Sequence, residues 1–254
     1  DTAMALALAE SLRPHPTLDE RDLMNRFVNW YRHGAHSCTG TCFDIGNTVR
    51  GALDRFTRTG NPIAGETHAH AAGNGSLMRL APVAVRHWHD AQSRRDAAAR
   101  QSRTTHGADE AVDACLLYAD LIAEAIAGMP RSVVMRPRSE AYAGRIGPIA
   151  GGGWRGKPRA QVRGSGYVAD ALEAALWCVA RTADFRGAVL MAANLREDAD
   201  TTAAIAGQLA GALYGAAGIP PAWRAAVAWL ETIEALAAGL FEAGEAESEA
   251  EKRL

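Results

Sequence analysis

Lysine is nearly absent from this 254-residue chain: it occurs only as Lys157 and Lys252, so almost all of the 27 basic residues are arginine. They are opposed by 29 acidic residues, and the formal net charge is −2. That balance argues against broad binding to nucleic acid, which needs a basic face to displace counterions from phosphates. Aromatics make up only 6% of the chain, and four cysteines are too few for a disulfide framework at this length. Cys115 and Cys178 lie in apolar stretches as small core residues, so the expected compartment is reducing and cytoplasmic. Long apolar runs are lacking too. The most membrane-like stretch, 203–219, is interrupted by Gln208 and stopped by Pro220-Pro221, which is short of a membrane span. No segment combines the basic start and apolar core of a signal peptide. Alternating β-branched runs bounded by turns are also missing, which argues against a sheet.

Alanine is abundant instead, and it favours helix. Apolar spacing predicts helices at Ala3–Leu12, Asp19–His33, Ile45–Arg58, Ser76–His89 with a kink at Pro82, and Asp109–Ala127. Further on it predicts Tyr167–Arg181, Phe185–Leu195, Thr201–Ala217 and Ala222–Phe241. The expected architecture is an all-α, compact multi-helix bundle forming a single domain over residues 1–241, with an acidic, fraying tail at 242–254. Between Met135 and Gly166 the pattern is irregular and rich in Gly, Pro and Arg, and long loops of this kind tend to be functional lids or mobile segments. The first residue is Asp rather than Met, so the chain is expected to start part-way through a longer reading frame.

The most informative segment is Asp198-Ala-Asp-Thr-Thr202, which opens a helix. Asp200 suits an N-cap and Asp198 the electropositive helix end, so helix capping is one complete reading. Metal binding is the other. Asp198, Asp200 and Thr201 offer three hard oxygen ligands of the kind that Mg²⁺ or Mn²⁺ takes. Gly207, Gly211 and Gly215 behind them leave one helix face bare for close packing, which would hold this acidic end deep in a bundle. Buried carboxylates need a partner, and a cation is one.

Other segments carry similar alternatives. Asp44, before Ile45-Gly-Asn-Thr48, reads as an N-cap or as a free carboxylate. Gly73-Asn74-Gly75-Ser76 reads as a tight turn that can present backbone N–H groups to an anion. His106 follows Thr104-Thr105 in a loop, and Tyr167 at a helix start is either a packing residue or a platform for stacking a base. His36, Cys38, Cys42, His68 and His70 offer a rival set of zinc ligands, but the Cys-x₃-Cys spacing is loose and no second cysteine pair follows. His87 and His89, two apart on a helix, point in different directions.

Asp198 to Gly215 (DADTTAAIAGQLAGALYG), Gly73 to Pro82 (GNGSLMRLAP) and Phe43 to Thr48 (FDIGNT) together resemble signature segments of the ADP-ribosylglycohydrolase family, of the dinitrogenase-reductase-activating glycohydrolase type. Thr104-Thr105-His106 and Gly164-Ser-Gly-Tyr-Val168 resemble further segments in matching order. The resemblance runs from Asp1 to about Phe241. It implies an all-α fold with two Mg²⁺ or Mn²⁺ ions in a central cleft and hydrolysis of the bond between ADP-ribose and an acceptor. Asp198, Asp200 and Thr201 then match metal ligands, and Asp1-Thr2 matches the end of a Thr-Asp-Asp-Thr metal motif. The resemblance further implies that Asp44 and Asp200 serve the reaction, that Gly73, Asn74, Gly75 and Ser76 cradle the diphosphate and ribose, that His106 binds ligand, and that Tyr167 lies against the adenine. The implied partner is an ADP-ribosylated protein or a small ADP-ribose conjugate. The alternative is a non-catalytic ADP-ribose-binding or structural member with an incomplete metal site.

Overall fold

Capping chemistry sets the helix boundaries. The structure, a computed structural model, describes residues 1–15 and 17–251 and contains thirteen α-helices among them. The first three are α1 (Thr2–Leu12), α2 (Glu20–His33) and α3 (Asn47–Thr59). Asp19 caps α2 by accepting from the Arg21 and Asp22 amides at 2.9 and 3.0 Å, and Gly34 closes it at φ 67°. Then come α4 (Ala81–Arg86), α5 (Ala91–Thr105), α6 (Asp109–Ile126), and the short α7 (Arg131–Val134) and α8 (Ile146–Ala150). The chain ends with α9 (Val168–Arg181), α10 (Phe185–Ala193), α11 (Ala199–Tyr214), α12 (Pro221–Ala226) and α13 (Leu230–Glu251). There is no strand among the described residues, only two isolated bridges, Glu66 with His106 and Gly73 with Tyr167. None of these helices is long and apolar enough to cross a membrane.

The all-α expectation therefore holds. Helices α6, α9 and α11 pack against one another at the centre; α5 and α4 cover α6, α10 covers α11, and α1 lies against α2, α4 and α13. Alanines with Leu117, Leu172, Leu176 and Ile205 fill this centre, their small volumes letting the helices approach closely.

Several boundaries differ from the expectation. Ser76–His89 is a turn followed by the short α4, and Pro82 sits in the first turn of α4 rather than at a kink, because a residue without an N–H is tolerated there. Helix α5 was not expected. Asp90 caps it, but its buried face holds Arg94, Gln101, Ser102, Thr104 and Thr105, so no apolar stripe betrays it. The acidic end does not fray before Glu251: α13 continues, and Arg86 grips Glu247 through two hydrogen bonds of 2.7 and 2.5 Å. The glycine face of α11 meets α10 at ordinary contact distance, since a Cβ on Gly207 or Gly211 would lie 3.8 Å from Val189 or 3.9 Å from Phe185. The irregular stretch is stapled down by Arg136 and Arg138 on Glu124, Arg145 on Asp170, and Lys157 on Glu173.

Candidate functional site

The start of α11 and the start of α1 converge on a cavity of about 580 Å³. Its wall also takes in the loop around Asp44, the turn at Gly73–Gly75, His106, Gly166 and the link Val227–Trp229. Asp1, Asp44, Gly73, Asn74, Gly75, His106, Asp198, Asp200 and Thr201, separated widely in sequence, thus share one enclosure.

The capping reading of the acidic segment fails. Asp198, not Asp200, occupies the N-cap position of α11, and its side chain makes no capping bond. Its Oδ2 instead accepts from Asn74 Nδ2 at 2.7 Å, across 124 positions of sequence. Arg196 and Glu197, both left-handed at φ 69° and 59°, turn the chain into this position, and the Asp198 amide donates to Gly164 at 2.8 Å. Thr202 Oγ1 donates back to the Asp198 carbonyl at 2.7 Å. Asp44 does not cap either: Gly46 holds the N-cap position of α3, and Asp44 lies in the preceding loop at φ 51°.

The glycine turn opposite is tight. Leu77 and Met78 amides donate to the Asn74 carbonyl at 2.9 and 3.0 Å, while the Asn74 amide donates to Gly166 at 3.0 Å. A Cβ on Gly75 would fall 2.7 Å from His106 Cε1, so only glycine lets the ring approach. His106 is 2% exposed, and burial with Arg79 nearby pushes its pKa down to about 3; the imidazole is neutral at neutral pH.

Two expectations change here. Ser76 does not face the cavity: it is fully buried toward α5 and α6, accepting from Ser102 Oγ at 2.9 Å and Cys115 Sγ at 3.5 Å. The turn that points Gly75 at the ligand side sends the next side chain inward. Tyr167 lines an adjoining depression with Glu110 and His70 that shares Gly73 and Gly166 with the main cavity. Its hydroxyl donates to Glu110, and Arg145 lies 5.5 Å from its ring centre. Of the irregular stretch, only Gly166 reaches the cavity wall. Sequence reasoning did not single out Phe43, Val227 or Trp229 as site residues; their exposed apolar side chains line the opening, and Val227 and Trp229 fall in no motif.

Asp1, Asp44, Asp198 and Asp200 make no ion pair with a basic side chain among the described residues. Hard oxygens with no cationic partner suit a divalent cation in donor chemistry. Among the described residues, however, no three His, Cys, Asp or Glu side chains converge closely enough to hold an ion as they stand. His36, Cys38, Cys42, His68 and His70 likewise form no such group among the described residues.

An all-helical bundle with carboxylates and a glycine turn around one cleft defines a class that comparison with known proteins makes specific. The sequence model of the ADP-ribosylglycohydrolase family matches residues 1–250. The chain belongs to that family. It is 45% identical over 242 residues to the ADP-ribosylarginine hydrolase Tri1 of Pseudomonas putida (strain GB-1), covering 95% of this chain and 65% of that protein. Identity to the Tri1 of Serratia proteamaculans (strain 568) is 40% over 241 residues, covering 95% and 66%. Identity to the ADP-ribosyl-[dinitrogen reductase] glycohydrolase of Rhodospirillum rubrum is 30% over 227 residues, covering 88% and 71%. The chain thus spans about two thirds of the length of the two Tri1 proteins. A solved structure described as an ADP-ribosylglycohydrolase-related protein complex superimposes with a TM-score of 0.81 at 38% identity, covering 95% of this chain and 80% of that one.

Proposed function

We propose that this chain carries the catalytic domain of a divalent-cation-dependent hydrolase that removes ADP-ribose from an arginine side chain of a modified protein. The observation that carries this reading is Asp198: an uncapped carboxylate at a helix start, held by Asn74 and sharing a cavity with Asp44, Asp200 and the Gly73–Gly75 turn. Its support from relatives lies in the arginine-specific names of the two Tri1 proteins. A small ADP-ribose conjugate is the alternative substrate.

Asp198, Asp200, Thr201 and Asp1 are the residues that would hold Mg²⁺ or Mn²⁺, two ions in the complete family site. When bound, such ions orient ribose hydroxyls and a water nucleophile at the anomeric carbon. The chain's own groups do the rest. The bare turn at Gly73–Gly75 admits the diphosphate close to backbone, and His106, uncharged, offers hydrogen bonding without adding charge. Asp44 faces the reacting end, where a carboxylate can take a proton from an incoming water or orient the departing guanidine.

The test is release of ADP-ribose from an arginine-ADP-ribosylated protein, in Mn²⁺ or EDTA, by the full-length protein. Asp200→Ala should reduce release by at least about a hundredfold while leaving the helical spectrum intact. Undiminished release by this variant, or full activity in EDTA, contradicts the proposal. The non-catalytic reading is favoured by one observation, the failure of the acidic side chains to converge. It requires ADP-ribose binding that ignores chelator, with no turnover in the full-length protein.

A further inference from the structure

Arg79 is fully buried, yet no carboxylate among the described residues pairs with it. Its guanidinium lies 4.4 Å from the centre of the Phe27 ring, and Nε donates to Gln101 Oε1 at 2.9 Å. Nη2 donates at shortest range to the Gln101 carbonyl at 2.8 Å and to Thr105 Oγ1 at 2.9 Å, with Thr104 Oγ1 a longer acceptor at 3.3 Å. Burial brings the Arg79 pKa down to about 9, so it stays a cation near neutral pH and acts only as a donor.

Thr105 Oγ1 makes one other contact, with His106 Nδ1 at 2.8 Å. A hydroxyl has one hydrogen to give and lone pairs to accept with. Arg79 already fills an accepting position, and among the described residues the Thr105 hydroxyl has no hydrogen-bond acceptor other than Nδ1, so its hydrogen points there. Were Nδ1 protonated, two donors would face one oxygen and the hydroxyl hydrogen would be left buried without a partner, which is costly. The other ring nitrogen, Nε2, therefore carries the proton. It lies against the glycine turn, 3.3 Å and 3.0 Å from where a Cβ would stand on Gly73 and Gly75.

We infer that Thr105, oriented by Arg79, is a positioning residue that locks His106 as its Nε2–H tautomer, making the ring a hydrogen-bond donor to an anionic oxygen of the ligand in the Gly73–Gly75 turn. The relay excludes His106 as a proton acceptor at the cavity. Only the identity of the bound oxygen, in the diphosphate or ribose of ADP-ribose, rests on the function proposed above; the tautomer is a property of the free protein.

The experiment is long-range ¹H–¹⁵N correlation of histidine rings in the ligand-free, ¹⁵N-labelled full-length protein at neutral pH, with His106 assigned by its loss in His106→Gln. The wild type and Thr105→Ser, which keeps the hydroxyl, should show the Nε2–H pattern; Thr105→Val, nearly the same in shape, should lose it. Calorimetric titration with ADP-ribose should show Thr105→Val weakened about tenfold, with Thr105→Ser restoring affinity. An Nδ1–H pattern in the wild type overturns the inference, as does an unchanged Nε2–H pattern in Thr105→Val. Should ADP-ribose bind none of the proteins while the ring patterns follow expectation, the relay stands and the choice of ligand falls.

Discussion

The two sides of the cavity are built on different principles. The inner wall, from Asn74 through His106 to Asp198, is fixed by polar bonds, two of which join segments far apart in sequence, Asn74 to Asp198 and Arg79 to Thr105, while Thr105 holds the neighbouring His106. The outer rim, at Phe43 and Val227–Trp229, is exposed and apolar, and Trp229 holds its backbone in the left-handed region. Position on the wall is over-determined, as orientation of a reacting sugar requires. Position on the rim rests on few contacts. Substitutions on the wall should therefore change chemistry out of proportion to stability, and substitutions on the rim should do neither strongly.

The largest effect separating the two is expected at Asn74. Asn74→Ala removes the donor that holds Asp198, and if Asp198 ligates a cation as proposed, loss of the group that orients it costs about ten- to a hundredfold in activity or metal affinity. ADP-ribose release as a function of Mn²⁺ concentration measures this. If Asn74→Ala keeps wild-type activity and metal dependence, the wall is not the organising element. Gly75→Ala follows: its methyl would stand 2.7 Å from the buried His106 ring, which must shift. Overpacking of this kind costs about 1–3 kcal/mol, read from urea unfolding, and ADP-ribose affinity should fall with it.

Acid sharpens the contrast. His106 is held neutral with a pKa near 3, and His87, buried beside Arg86 at the end of α4, with one near 4. Burial is the first cause in both, and it depresses the folded values below the unfolded value of about 6.5. The unfolded chain therefore takes up protons first. Each histidine contributes stability that is complete above about pH 6.5 and is lost as pH falls toward its folded value, at up to about 1.4 kcal/mol per pH unit. Urea midpoints at about pH 7 and about pH 5 should differ by less in His106→Gln than in the wild type, since carboxylates remain largely ionised in that window. Equal pH sensitivity would mean that His106 is not the buried neutral group described.

How much of this was legible beforehand depends on the distance over which each feature is encoded. Local signals served well: Asp19 and Gly34 bounded α2 as capping rules require, and alanine-rich stretches gave the α6, α9 and α11 centre. The candidate residues were found through motif order, and the cavity brings nearly all of them together. What failed was long-range or paired. Helix α5 hides its buried face behind Arg94 and Gln101, whose partners Asp120 and Arg79 lie on other elements. Ser76 was misplaced because direction within a turn follows from its dihedral angles, not from composition. The pairing of Glu247 with Arg86 across 161 residues was equally invisible, and the last residues of the expected tail, 252–254, lie outside the described residues. The N-cap position expected for Asp200 falls to Asp198, whose side chain is turned to Asn74 instead of the helix amides, a pairing across 124 residues.

Trp229 offers the smallest and most local test of the rim. The expected single helix 222–241 is broken into α12 and α13 at this residue, which sits at φ 58° and is 43% exposed. A bulky residue in the left-handed region costs roughly 1–2 kcal/mol that glycine does not bear. Removing the indole forfeits its partial burial in both Trp229→Ala and Trp229→Gly, so that loss cancels when the two are compared. The remaining difference is conformational, and it is reduced by the greater freedom of glycine in the unfolded chain. Trp229→Gly should therefore be more stable than Trp229→Ala by about 1 kcal/mol, a shift of a few degrees in melting temperature for a chain of this size. The reverse order would mean that the link is not held left-handed in solution, and that α12 and α13 join as the one helix their apolar spacing first suggested.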